Sequence, residues 1–500
     1  MLRTAGLLKL AACIVAGAVL PFAYAPFGLF WITPLSYAVL FYAWGDCAPG
    51  RAFRLGFAHG SAGFLAGLYW IYISVHDFGS APISLAVFLM LGLVALLGLF
   101  VGAAGWAAAR WFTTTGRKAW LGTLPALWVL TEWMRGWLFT GFGWLSAGYS
   151  QTDSWLMSYA PLLGLHGMSW AVALSAGALL VLLLGRARAR VSGLITLLLL
   201  WGIGYALVAQ RWTEPKGELL SVALVQGAVP QNLKWLPEQL PLTRDLYREL
   251  TRQTRRPQLV VWPEAAIPAL YEQVSGYLEQ VGAEVRARGG VLLLGILRSH
   301  PESGTFQNAL IAMDESAAIY TKRHLVPFGE YFPVPAFIRS WMRLMSLPYV
   351  DAVPGAAGQP PLQVAGESIA VTICYEDVFG AEQLHYMPAA SLLVNVSNDA
   401  WFGDSIAPHQ HLQIARLRSA EVGRYQLRAT NTGISAVIDP SGQVVARLPA
   451  FQPAVLESTV QGFRGSTPYA RWGNYPVVLA ALCLLIGQLA TTKFTMRPGT

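Results

Sequence analysis

The chain has 500 residues, of which 54% are hydrophobic and only 12% charged, with a mean hydropathy of +0.45. Ordinary soluble chains carry about 25% charged residues, so this balance excludes a purely soluble enzyme and calls for a lipid phase. The net charge of +8 does not mark a nucleic-acid binder, because it concentrates in short connections between apolar runs, as with Arg186, Arg188 and Arg190.

A bilayer helix needs roughly 20 apolar residues. Runs of that kind predict eight membrane spans, at about 6–23, 27–44, 56–75, 83–109, 119–138, 167–185, 191–209 and 474–491. The stretch Ala11–Leu20 has the makeup of a signal-peptide core, but the next apolar run follows almost at once, so an uncleaved helix is expected. Basic residues fall in alternate connections: Arg51 and Arg54, then Arg110, Arg117 and Lys118, then Arg186 to Arg190, then Lys493 and Arg497. The positive-inside rule therefore predicts two cytoplasmic termini and places the polar segment on the opposite face, which in a bacterium is the periplasmic side of the inner membrane. The expected organisation is a seven-helix bundle over 1–210, a periplasmic domain over 211–471, and a last helix with its tail over 472–500. Inside the fifth span, Glu132 and Arg135 stand three apart, a spacing that favours pairing on one helix face over contact with a lipid headgroup. The Gly- and aromatic-rich stretch that follows, about 140–159, suits a bilayer interface.

The polar segment alternates between strand-like and helix-like runs. Strands are expected at 219–225, 258–262, 291–297, 309–313, 317–321, 392–396 and 434–438, and helices at 241–254, 271–288 and 408–422. This pattern predicts an α/β domain inserted in an all-α membrane bundle. Periodicity leaves open whether the strands form two sheets or a single doubly wound one.

Three residues in that segment carry the chemistry. Cys374 follows the apolar run Ile369–Ile373 and is the lone cysteine of the polar domain, so it has no partner there for a disulfide. Glu264 closes Val260-Val261-Trp262-Pro263-Glu264, and Lys322 closes Tyr320-Thr321-Lys322. A thiol attacks well only as its thiolate, so a cysteine nucleophile needs a base or a nearby cation. Glu264 fits the base, taking the thiol proton and returning it to the leaving group, while Lys322 fits the stabiliser of an oxyanion, aided by a backbone N–H after Cys374. Acyl transfer is the implied reaction class. No Walker-type loop, Cys-x-x-Cys pair or zinc-protease helix occurs in the sequence, and His409 and His411 would point apart on a helix, so neither cofactor nor metal is expected.

In this order Glu264, Lys322 and Cys374 resemble the triad of the nitrilase superfamily. The segments Trp262-Pro263-Glu264-Ala265-Ala266, Pro327-Phe328-Gly329-Glu330-Tyr331 and Asn395–Gly403, taken with the membrane spans, make the chain similar to the bacterial apolipoprotein N-acyltransferases within it. The resemblance implies an αββα sandwich. It also implies a thiolate that takes an acyl chain from a phospholipid and passes it to the α-amino group of a lipoprotein's diacylglyceryl-cysteine. Trp235, Glu330, Tyr375 and Glu376 would support the triad. A membrane-anchored amidase acting on a small C–N substrate is the alternative, although one helix would suffice to anchor it. A transporter carrying an inactive outer domain is a third reading, and it would call for polar, broken helices.

Between Lys322 and Cys374, Phe337, Ile338, Trp341, Met342 and Met345 recur at helical spacing, with Arg339 and Arg343 four apart on the other side. The stretch follows the aromatic loop containing Phe328 and Tyr331. Either it is a lid that dips into membrane lipid and guides acyl chains, or its apolar face is buried in the core.

Overall fold

The computed structural model describes residues 2–301, 305–315, 318–331 and 352–495. They form two compact units: one made of the N-terminal 212 residues with Phe402–Glu421 and the segment from Thr467 onward, the other of Thr213–Trp401 with Val422–Ser466.

The first unit is helical. Four of its helices are long and apolar enough to cross a membrane, Gly6–Ala23, Ile83–Trp111, Trp155–Leu184 and Ala187–Leu207, while Ile32–Trp44 and Tyr475–Ala490 are apolar but shorter. The expected spans near 56–75 and 119–138 do contain helices, Pro49–Gly67 and Leu124–Arg135, yet neither has that length and hydropathy. The former carries Arg51, Arg54 and His59, and the latter is shortened because a wide turn occupies Ala119–Thr123 before it. Helices Pro49–Gly67 and Ile83–Trp111 approach backbone to backbone through glycine. A Cβ on Gly56 would lie 2.5 Å from the Val101 carbonyl oxygen, and one on Gly98 would lie 2.3 Å from the Ser61 hydroxyl. Small residues permit this approach where lipid offers no hydrophobic drive for association.

Glu132 and Arg135 do not pair with each other among the described residues. Glu132 accepts from Trp128 Nε1 (3.0 Å) and from the Ala147 backbone N–H (2.9 Å). Arg135 donates to the carbonyls of Phe142 (2.6 Å) and Trp144 (2.7 Å) and to the Ser146 hydroxyl (2.9 Å). Both charges thus fasten the loop after their helix, whose backbone offers better partners than a side chain one turn away. That loop is not simply interfacial: Trp144 is buried and donates to Gln410 Oε1 at 2.7 Å.

The second unit holds two six-stranded sheets, which decides between the two arrangements left open by periodicity. The strands are β1 (Thr213–Gln226), β2 (Leu259–Trp262), β3 (Val291–Ser299), β4 (Phe306–Ala312), β5 (Ile319–Thr321), β6 (Leu362–Val364), β7 (Glu367–Ile373), β8 (Leu392–Ser397), β9 (Gln426–Thr430), β10 (Ala436–Ile438), β11 (Val444–Arg447) and β12 (Ala454–Gly465). One sheet runs β12-β1-β2-β3-β4-β5 and the other β11-β10-β9-β8-β7-β6. Each is parallel at its centre, β1–β2–β3 and β7–β8–β9, and antiparallel at its flanks. Central strands such as Leu259–Trp262 are buried along their whole length, because one face meets the other sheet and the other face meets helices. Val260, Trp262, Leu292 and Leu294 pack there against Tyr247, Val274, Leu278 and Val281, from the helices Gln239–Arg252 and Tyr271–Arg286.

Candidate active site

Each of the three expected residues lies just beyond the end of a strand. Glu264 stands two residues past β2, Lys322 directly follows β5, and Cys374 directly follows β7. Cys374 has a left-handed φ of 54° and Ala265, next to Glu264, one of 45°. Side-chain-bearing residues adopt that region at a cost of about 1–2 kcal/mol. At Cys374 and just after Glu264 the chain thus leaves its strand in a sharp turn.

Glu264 and Lys322 are brought together. Lys322 Nζ lies 3.3 Å from Glu264 Oε1 and 2.9 Å from Glu330 Oε1, and the lysine side chain is almost wholly buried. Burial works against the Lys322 charge, but Glu264 and Glu330 outweigh it and hold the ammonium well above its usual range. Glu264 is further fixed by Asn308 Nδ2 on Oε1 (2.6 Å) and by the Asn398 backbone N–H on Oε2 (2.7 Å). Glu330 takes the Val326 N–H on its second oxygen at 2.8 Å, which sets the angle at which it holds Lys322.

Cys374 keeps partial exposure. Burial pushes its thiol up, Glu264 and Asp399 push in the same direction, and the Lys322 ammonium and the Ser397 hydroxyl pull it back without reversing the shift. The Cys374 thiol is therefore held protonated, and a nucleophile in that state needs a base at the moment of attack. The carboxylate that raises it is the one able to take its proton.

The turn after Cys374 is held by Glu376, whose Oε1 accepts from the N–H groups of Arg323 (2.8 Å) and His324 (3.0 Å) and whose Oε2 accepts from the Ile373 N–H (2.7 Å). Tyr320 donates to both oxygens, at 2.9 and 3.0 Å. Burial raises the Glu376 carboxyl above its ordinary range, partly offset by those N–H donors. This one residue thus ties the Lys322 turn to the Cys374 turn. Tyr375 packs its ring edge-on to Phe379. Trp235 is half exposed, and Phe328 likewise, at the head of a tight turn in which its N–H donates to the Tyr331 carbonyl at 2.7 Å. Phe337, Arg339, Trp341, Arg343 and Met345 lie outside the described residues.

Sequence reading missed several members. Asn308 and Asn398 hold Glu264, and the buried Arg428 bonds Asn395 Oδ1 (2.5 Å), Asp399 (2.9 Å) and Asp377 (3.5 Å). Little in the sequence marked them: Asn308 stands beside Gln307 on β4 and Arg428 between Gln426 and Thr430 on β9, strands mixed enough to hide a polar residue that must find a buried partner.

Two family models and several curated relatives match the chain. The family described as "Apolipoprotein N-acyltransferase N-terminal domain" matches residues 16–178, and "Carbon-nitrogen hydrolase" matches 221–469. A protein of Methylococcus capsulatus named apolipoprotein N-acyltransferase is 42% identical over 93% of this chain and 92% of its own length. One of the same name from Nitrosomonas europaea is 44% identical over 97% and 98%. Among solved structures, the Saccharomyces cerevisiae nitrilase-superfamily member Nit3 aligns over 51% of this chain and 93% of its own, at 18% identity and a TM-score of 0.36. On the strength of the near-full-length relatives, the chain belongs to the apolipoprotein N-acyltransferase family.

Proposed function

We propose that this acyltransferase moves an acyl chain from a phospholipid to the N-terminal α-amino group of the diacylglyceryl-cysteine of apolipoproteins, through a thioester on Cys374. The observation that carries the mechanism is the buried carboxylate of Glu264, its oxygens fixed by Lys322, Asn308 and the Asn398 N–H, whose charge helps to keep the Cys374 thiol protonated. In the first half-reaction the Cys374 sulfur bonds to the ester carbonyl carbon as its proton passes to Glu264. The oxyanion is stabilised by Lys322 and a backbone N–H of the turn. As the tetrahedral intermediate collapses, Glu264 gives the proton to the departing lysophospholipid oxygen. In the second half the acceptor amine attacks the thioester, Glu264 takes the amine proton, and the thiol is restored. The donor's leaving group must depart before the amine enters, so the kinetics are ping-pong.

The same reading places the protein in a bacterial inner membrane, with both termini cytoplasmic and the α/β domain periplasmic. Support comes from the alternation of basic connections and from the four long apolar helices. Incubation with acyl-labelled phospholipid and no acceptor is expected to leave label that hydroxylamine removes, and a diacylated lipopeptide should then discharge it. Label on Cys374→Ala, or hydrolysis of a small amide with no acyl transfer, would overturn the proposal, and the second result would favour the amidase.

A further inference from the structure

The turn Gln231–Lys234 contains an ammonium that the triad does not use. Lys234 is fully buried, and its Nζ has no hydrogen-bond partner among the described residues. Nothing in the sequence distinguishes it from an ordinary surface lysine, since Leu233, Trp235 and Leu236 around it are exposed. Its turn is tied directly to the catalytic base. Gln231 Oε1 accepts from Asn398 Nδ2 at 2.9 Å, and the N–H of the same Asn398 donates to Glu264 Oε2.

A buried cation without a partner is expensive and persists only where something else needs its charge. Two carboxylates, Glu264 buried and Glu330 partly so, share the single ammonium of Lys322. Below them Arg428 likewise serves both Asp377 and Asp399. Negative charge is in excess at this end of the sheets, and the oxyanion of the reaction must develop within it. A second lysine bonded directly to Glu264 would cover the oxygens that must receive the thiol proton. A cation held nearby but not bonded supplies the charge and leaves them open.

We propose that Lys234 is a positioning residue for acyl transfer: its ammonium is the second counter-charge of the Glu264–Lys322–Glu330 cluster, offsetting the carboxylates from a distance so that the proton and the oxyanion can both be accommodated. The inference rests on the triad reading given above. The titratable and charged groups gathered at this end are Glu264 after β2, Tyr320 on β5 with Lys322 and Glu330 after it, Cys374, Glu376 and Asp377 after β7, Asp399 after β8, and Arg428 on β9. On the helix Gln239–Arg252, which packs against Lys234's own turn, Tyr247 is kept protonated by burial. Burial pushes Lys234 down to about 8, with Glu264 pulling it back up. Its charge is therefore present at neutral pH and lost as pH rises through about 8. Lys322 and the Cys374 thiol do not titrate there, since both are raised.

The test is the pH dependence of thioester formation by the full-length protein in phospholipid vesicles, with labelled donor and no acceptor, so that the acceptor amine's own titration does not enter. The wild-type rate is expected to fall on the alkaline side with a midpoint near 8. Lys234→Met should lower the neutral-pH rate roughly tenfold, about one pK unit's worth of charge interaction, and abolish that alkaline limb. Lys234→Arg should keep activity and move the limb upward. A Lys234→Met profile with the wild-type limb, or a wild-type profile flat through pH 9, would overturn the proposal. If Lys234→Met does not fold, the arginine variant decides, an unmoved limb counting against. Failure of the wild type to form any thioester would instead sink the Cys374 reading itself.

Discussion

A raised thiol has consequences that can be measured without a substrate. Because burial and Glu264 keep Cys374 protonated, its alkylation by iodoacetamide should keep accelerating with pH instead of levelling near about 8.5 as an exposed cysteine does. The sign follows from the shift: the thiolate appears only as pH climbs through the raised value. In Glu264→Gln the negative neighbour is gone, so alkylation at pH 8 should speed up while acyl transfer falls by about 10²- to 10⁴-fold, the usual range for loss of general acid/base catalysis. Slower alkylation together with normal turnover would remove Glu264 from the role of base. These opposite responses distinguish a base from a residue that merely supports the fold. Glu264, Lys322 and Cys374 stand out in the sequence because each closes a run of buried residues, a position where a reactive side chain has few structural reasons to be, and the structure brings Lys322 to 3.3 Å from Glu264. Asn308, Asn398 and Lys234 do not stand out, because their roles depend on strands that are far apart in the chain and meet only through the two-sheet arrangement.

At the scale of elements, periodicity reports faces and is silent when both faces are buried. Strand β9 reads Gln426-Leu427-Arg428-Ala429-Thr430, polar enough to pass for a loop, yet all five residues are buried. The reason is Arg428, which satisfies Asn395, Asp377 and Asp399 at once. Helix Ala407–Val422 repeats the lesson, since Gln410, His411, Gln413, Arg418 and Glu421 are buried along it, with Arg418 paired to Glu421 at 3.0 Å. Removing one partner from such a network leaves an uncompensated charge, so Arg428→Met should cost about 3–5 kcal/mol. The loss should register as a large drop in Tm along with loss of the acyl-enzyme. A thermal transition within a degree or two of wild type would show that Arg428 contributes little. The membrane helices were legible as apolar runs, but not their close approach. Gly56→Leu must displace the Val101 backbone, which cannot yield as a flexible side chain can. It is expected to lower the yield of folded protein in detergent, whereas Gly92→Ala, with open space around its Cα on the same helix as Val101, should not.

For the molecule as a whole, the lipid requirement read from composition reappears as exposed apolar surface. Along Ala187–Leu207 the side chains of Val191, Leu194, Ile195, Leu198, Leu199 and Ile203 are all exposed, as are Leu85, Phe88 and Leu91 on Ile83–Trp111. Contiguous apolar surface of this kind does not persist in water on a soluble protein, and it supplies the band that acyl chains would cover. The orientation in that band rests on charge alone. In the sequence Lys and Arg occupy every second connection, and Arg186, Arg188 and Arg190 form the densest cluster, at the cap and first turn of Ala187–Leu207, the last helix before the α/β unit. Each basic residue near a span biases its loop toward the cytoplasm, so the short connection at 185–187 should lie inside and the α/β unit outside. In a chain whose only cysteine besides Cys374 is introduced, Gln443→Cys on the exposed β10–β11 turn should react with a membrane-impermeant maleimide in intact spheroplasts. Arg188→Cys should react only after permeabilisation. The reverse pattern would invert the topology and place the thiol in the reducing compartment. Neutralising Arg186, Arg188 and Arg190 together should weaken the bias, so that part of the population exposes position 188 without permeabilisation; an unchanged labelling pattern would mean that the other basic connections fix the orientation by themselves.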